Sequence, residues 1–289
     1  RQHARCPPPD RGLVPSMVVF KAVLALLLGA SLAMTFVLSL YIWKNDKDRD
    51  HSDTIRKRFI SMGLCCVVSP IPLFVFIRAY DIQANTFQWL GVTLEGLPSA
   101  LVIPLALTAM LFLGPLVDNF ILHPESGYSQ PLDLRNVRNY VVAPLAEELV
   151  FRACICSLLV LGGWSHGFAG IVGPLMFGFA HLHHVLEHMR HAGHGLNKAL
   201  QIAGFQTCYT TLFGMYASFL FLRTGHLIAP FLSHAFCNYM GLPEVRNLTK
   251  SPYKVLLRFS YITGILGFIV GIYPLTNPNW YNPHIWYYQ

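Results

Sequence analysis

Glu147 and Glu148 stand side by side in VVAPLAEELVFRACICSLLVL, with Arg152 one turn later, in a run that is otherwise uncharged and long enough to cross a bilayer. An ionised side chain at membrane depth costs at least a few kcal/mol, so these groups are expected to face a protein interior or a wet cavity and to serve a purpose there. Two further apolar stretches, FGFAHLHH and SHAFCNYMG, carry polar residues that helix packing does not require. His234 and Asn238 are four residues apart and share one helix face, and Phe177 and His181 have the same spacing, with His184 one turn further on.

These residue types suit hydrolysis of a carbonyl. A carboxylate and an imidazole within reach of one water can deprotonate it for attack and then return a proton to the leaving amine. Glu147 and His181 fit that pair. His234 and Asn238 can each donate a hydrogen bond and together hold the negative charge that develops on the carbonyl oxygen. Glu148 and Arg152 are spaced to pair on one face, whereas Glu147 is turned about 100° away. Glu148 and Arg152 are therefore assigned to charge compensation and positioning, with Phe177 and His184 in support, and Glu147 to chemistry.

The elements that must position these groups are membrane helices. Of 289 residues, 54% are hydrophobic and only 12% charged, about half the charge of a soluble globular protein. The net charge of +7 is spread over short loops between apolar segments, which argues for membrane orientation and against nucleic acid. Apolar stretches of spanning length lie near 17–43, 59–80, 97–121, 139–162, 164–183, 199–222, 227–243 and 257–275, with 86–96 as an interfacial helix. The expected fold is an all-α, polytopic membrane bundle of about eight transmembrane helices with a polar intramembrane cavity open to the cytosol. Residues 1–16 read as a disordered extension and 17–289 as one domain. The cysteines lack the spacing of a disulfide framework or zinc ribbon and read as small buried hydrophobes.

The loop KNDKDRDHSDTIRKR is strongly basic and belongs in the cytosol by the positive-inside rule. Alternation places the segment after 121, the His-rich loop and the loop with Arg246, Lys250 and Lys254 on the same side. DIQAN, the turn near Gly162 and RTGH fall on the other. The acceptor pattern Asn247-Leu248-Thr249 then lies in the cytosol and stays unmodified. Glu147, His181, His234 and Asn238 all fall in the cytosol-facing half, with Glu147 about nine residues, roughly 13 Å, into its helix.

Three rival chemistries follow from the same residues. The cluster His181, His184, His188, His191 and His194 suggests zinc, which needs about three protein ligands and a water, but no His-Glu-x-x-His is present. Cys154 or Cys237 could serve as a nucleophile only with a base close by. A transporter or a chaperone for lipidated cargo would use the cluster as a relay or polar core, yet the opposite half offers few polar residues beyond Gln206, Thr207 and Thr210.

Glu147-Glu148-Leu-Val-Phe-Arg152, Phe177-Gly-Phe-Ala-His181 and His234-Ala-Phe-Cys-Asn238 resemble, in order and spacing, the EExxxR, FxxxH and HxxxN pattern of the type II CAAX prenyl endopeptidases. NYVVAPLAEELVFRAC, FLFLRTGHLIAPFLSHAFCNYMG and YIWKN look like the eukaryotic members. The resemblance implies a glutamate-type, metal-independent endopeptidase of the endoplasmic reticulum, without cofactor, that removes the last three residues of a farnesylated or geranylgeranylated CaaX protein. It implies that Glu147 and His181 activate water and that His234 and Asn238 form the oxyanion site. A prenyl chain lying in lipid while the peptide enters from the cytosol suits the expected architecture. The short connection between Leu122 and Arg138 and the His-rich loop after His181 depart from the family pattern.

Overall fold

The structure is a computed structural model that describes residues 15–43, 47–82, 85–122, 133–183, 185, 189, 193, 195–243, 246–281, 283 and 285. Helices carry the fold, and no strand occurs among the described residues. They are α1 (Pro15–Ser39), α2 (Ser52–Ala79), α3 (Leu97–Leu111), α4 (Leu113–Leu122), α5 (134–161), α6 (His166–Ala180), α7 (Leu196–Thr224), α8 (Ile228–Met240) and α9 (Lys254–Leu275). Each apolar stretch of the sequence is thus met by a helix. By length and hydropathy alone, α1, α2 and α9 can cross a membrane, and α3 with α4 makes a fourth if that bent pair counts as one span.

Local chemistry explains the boundaries. Asp133 caps α5 by accepting from the Asn136 N–H at 2.7 Å, and Ser165 caps α6 through the Phe168 N–H at 3.1 Å. Gly225, at φ 65°, ends α7 in the left-handed conformation. The expected single helix over 97–121 is instead bent by 80° at Phe112. Pro115 has no N–H for the Leu111 carbonyl, which removes a helical bond at that bend. The expected interfacial helix over 86–96 is corrected to one turn, Thr86–Trp89. Gly91 stops it at φ 72°, and a Cβ there would lie 2.5 Å from the Leu227 nitrogen, so the chain packs here backbone to backbone.

At the centre runs α5, whose residues from Val150 to Leu161 are all buried. A helix that is apolar all round belongs in a core, and α1, α2, α6, α7 and α8 surround it. The outer helices keep large apolar side chains exposed, among them Leu27, Leu64, Phe205, Phe259 and Val270, as surfaces facing lipid do.

The loops gather at two ends. Arg138 at the start of α5 donates from Nη1 to the Arg49 carbonyl at 2.9 Å and from Nη2 to Asp50 at 2.8 Å. At the same end Asn247 donates to Asp118 at 2.9 Å. At the opposite end the Leu227 N–H bonds the Gly91 carbonyl, and His166 meets the Ile285 carbonyl. Of the segments that charge alternation groups together, the basic loop thus meets the start of α5, and the loop at Asn247 meets the end of α4.

Candidate active site

The site is built on α5, and its backbone there departs from a regular α-helix. Residues 138–142 and 149–156 are π-helical, one on each side of Glu147 and Glu148. Such wider turns often mark functional sites. In the first, the Ala143 N–H bonds the Arg138 carbonyl five residues back. The next donor in that pattern is missing because residue 144 is proline. The Asn139 carbonyl is thereby released from the helix ladder, and it accepts from Asn238 Nδ2 at 2.9 Å. Pro144 thus creates the acceptor that holds Asn238.

Glu148 is fully buried. Its Oε1 accepts from Arg152 Nη1 at 3.1 Å, as the spacing predicts, and from His234 Nδ1 at 2.6 Å, which the spacing does not reveal. A carboxylate only accepts, so Nδ1 carries the proton of that bond and Nε2 is the nitrogen left for other work. Nε2 lies 3.7 Å from Glu147 Oε2. His234 therefore stands between the two glutamates, clamped by Glu148 and facing Glu147. The two glutamates differ in geometry: Glu148 is the buried, paired carboxylate, while the Glu147 side chain keeps 18% of its surface open.

Arg152 is buried too, and its guanidinium lies 4.3 Å from the Phe177 ring centroid and 6.0 Å from that of Phe213. Aromatic faces attract a desolvated cation. Phe213 also packs on the His234 ring at 4.7 Å. A Cβ on Gly214 would come within 3.1 Å of Arg152 Nη2, so glycine makes room for the guanidinium against α7.

His181 closes α6. Its Nδ1 bonds the Phe177 carbonyl at 2.8 Å, and its ring packs edge-on against Phe177 at 4.7 Å. A carbonyl accepts only, so Nδ1 donates and Nε2 is the basic nitrogen of the neutral ring. The structure thus joins Glu147, Glu148, Arg152, Phe177, His181 and His234 through Phe177 and His234, with Asn238 at the exposed rim. It pairs Glu147 with His234, a neighbour the sequence assigned to the opposite role. His184, His188, His191 and His194 lie outside the described residues. Among the described residues no group of three or more His, Cys, Asp or Glu is placed to hold a metal. Cys154 is fully buried and Cys237 half-buried.

A family model described as type II CAAX prenyl endopeptidase Rce1-like matches residues 134–240. A human relative named CAAX prenyl protease 2 is 39% identical over 93% of this chain and 85% of its own length. The chain belongs to the type II CAAX prenyl endopeptidases. An Arabidopsis thaliana protein of the same name is 33% identical over 87% of this chain and 89% of its own, and one from Saccharomyces cerevisiae is 27% identical over 90% of each. No solved structure matches. The matched segment of this prenyl endopeptidase runs from the start of α5 to the end of α8 and contains all seven joined residues. Asn139, Pro144, Phe213 and Gly214 escaped sequence reading. Proline inside the site helix was a usable signal; Phe213 and Gly214, ordinary members of an apolar helix, gave none.

Proposed function

We propose that this chain is a multi-pass membrane endopeptidase that removes the C-terminal three residues from farnesylated or geranylgeranylated CaaX proteins. The relatives' names point to prenylated CaaX termini, and the observation that carries the mechanism is His234, clamped by Glu148 and facing Glu147. We place the enzyme in the endoplasmic reticulum membrane, with about eight spans and the site open to the cytosol. The basic Lys47–Arg58 loop and the start of α5 meet at the end nearer Asn238, where positive-inside orientation puts the cytosol.

Glu147, with His181 Nε2 as partner base, takes a proton from water as its oxygen attacks the scissile carbonyl. Charge then develops on the carbonyl oxygen. Asn238 has two N–H groups, and with one on the Asn139 carbonyl the second is available to that oxygen. His234 in its imidazolium form donates from Nε2. Two carboxylates, Arg152 and that imidazolium together are neutral, so a buried cationic donor is balanced at the site. Collapse of the intermediate breaks the C–N bond, and the proton passes to the leaving amine.

The test is purified protein in liposomes with a farnesylated CaaX peptide. Release of the intact tripeptide is expected. No release, with the protein folded, overturns the assignment.

A further inference from the structure

A protease that cuts a fixed distance from a chain end must read that end, and the end of its substrate is an α-carboxylate. This inference rests on the function proposed above. Three residues of extended chain span about 10 Å, so a cation that reads the terminus belongs about that far from the site.

The rim of the site holds a cluster of cations on a built platform. Asp50 gathers three guanidinium groups: Arg138 Nη2 at 2.8 Å, Arg135 Nε at 3.3 Å and Arg49 Nε at 3.7 Å. Among the described residues this cluster is net positive. Arg138 is buried and serves as its fastener, because it also holds the Arg49 carbonyl and the side chain of Asn139. Asn139 in turn holds Asn238 through its carbonyl. The platform is thus joined by consecutive hydrogen bonds to the residue assigned to the oxyanion. Arg49 belongs to this platform through its backbone, whose carbonyl accepts from Arg138, and through its side chain, whose Nε faces Asp50. Its side chain is 44% exposed, and a guanidinium with five donors can bind Asp50 and a second carboxylate together.

We propose that Arg49 binds the α-carboxylate of the substrate's last residue, with Asp50 and Arg138 holding it in place, and so fixes the cut three residues from the end. Arg135 adds positive charge at the same rim.

The experiment compares two farnesylated peptides that differ only in ending as a free acid or a primary amide. Wild-type protein is expected to show a KM about tenfold or more lower for the acid, as for loss of a charged hydrogen bond. In Arg49→Gln that acid-over-amide ratio falls toward one, and Arg49→Lys restores part of it. Equal KM values for the two peptides in wild-type protein would overturn the proposal while leaving the protease assignment standing. So would an Arg49→Gln protein that keeps the full ratio. Should Arg49→Gln fail to fold, the released tripeptide serves instead: its acid is expected to inhibit wild-type turnover at about tenfold lower concentration than its amide, and equal inhibition overturns the proposal. Cleavage of neither peptide by folded wild-type protein would bring down the function and this inference together.

Discussion

Two adjacent glutamates have opposite fates because one residue is about 100° of helix. Glu148 turns inward to Arg152 and His234, while Glu147 keeps a partly open side chain. Glu148→Gln leaves Arg152 and His234 in the core without their shared carboxylate. A loss of about 3–5 kcal/mol is expected, as for a broken buried ion pair, with a fall in turnover, read by thermal unfolding and peptide cleavage. Gly214→Ala puts a methyl 3.1 Å from Arg152 Nη2. Its expected effect is a several-fold loss of activity with a smaller loss of stability, because the guanidinium must shift and carries Glu148 with it. The Glu148–Arg152 pair was legible from spacing. The His234 bond was not, since sequence periodicity fixes a face within a helix but not which face of a neighbour it meets.

At the scale of the element, α5 carries both its chemistry and its positioning devices. Pro144→Ala restores an N–H that competes for the Asn139 carbonyl, so Asn238 loses its anchor. We expect kcat to fall several-fold, with little change in KM, measured on the same peptide. Helix existence was legible throughout, because apolar runs of that length have few alternatives in a membrane. The π-helical turns and the 80° bend were not, because each depends on how one missing N–H is accommodated. Outside the membrane, burial pushes the Asp50 carboxyl up. The Arg138 hydrogen bond and the charges of Arg138, Arg49 and Arg135 outweigh that and hold it below its ordinary value. A lowered native pKa means that this tie is fully present above about pH 4 and is lost as pH falls through the native value. Asp50→Asn is expected to flatten the fall in melting temperature between about pH 5 and pH 3, relative to wild type.

Across the whole molecule, α1, α2, α9 and the bent pair are long and apolar enough to cross a membrane, whereas α5 is enclosed by its neighbours and holds two glutamates and an arginine. The same enclosure gives the loops two ends, and the basic end lies with Asn238. Asn247, at that end, is expected to remain without a glycan when the protein is made in a eukaryotic cell; a glycan there reverses the orientation.

The central claim is that Glu147 performs the chemistry while Glu148 holds the site together. Single-turnover cleavage of a farnesylated peptide by Glu147→Gln protein in liposomes tests it most directly, with thermal unfolding measured on the same sample. A rate lower by about a hundredfold or more at a nearly unchanged melting temperature is the predicted result. A rate within about tenfold of wild type in folded protein would contradict the assignment.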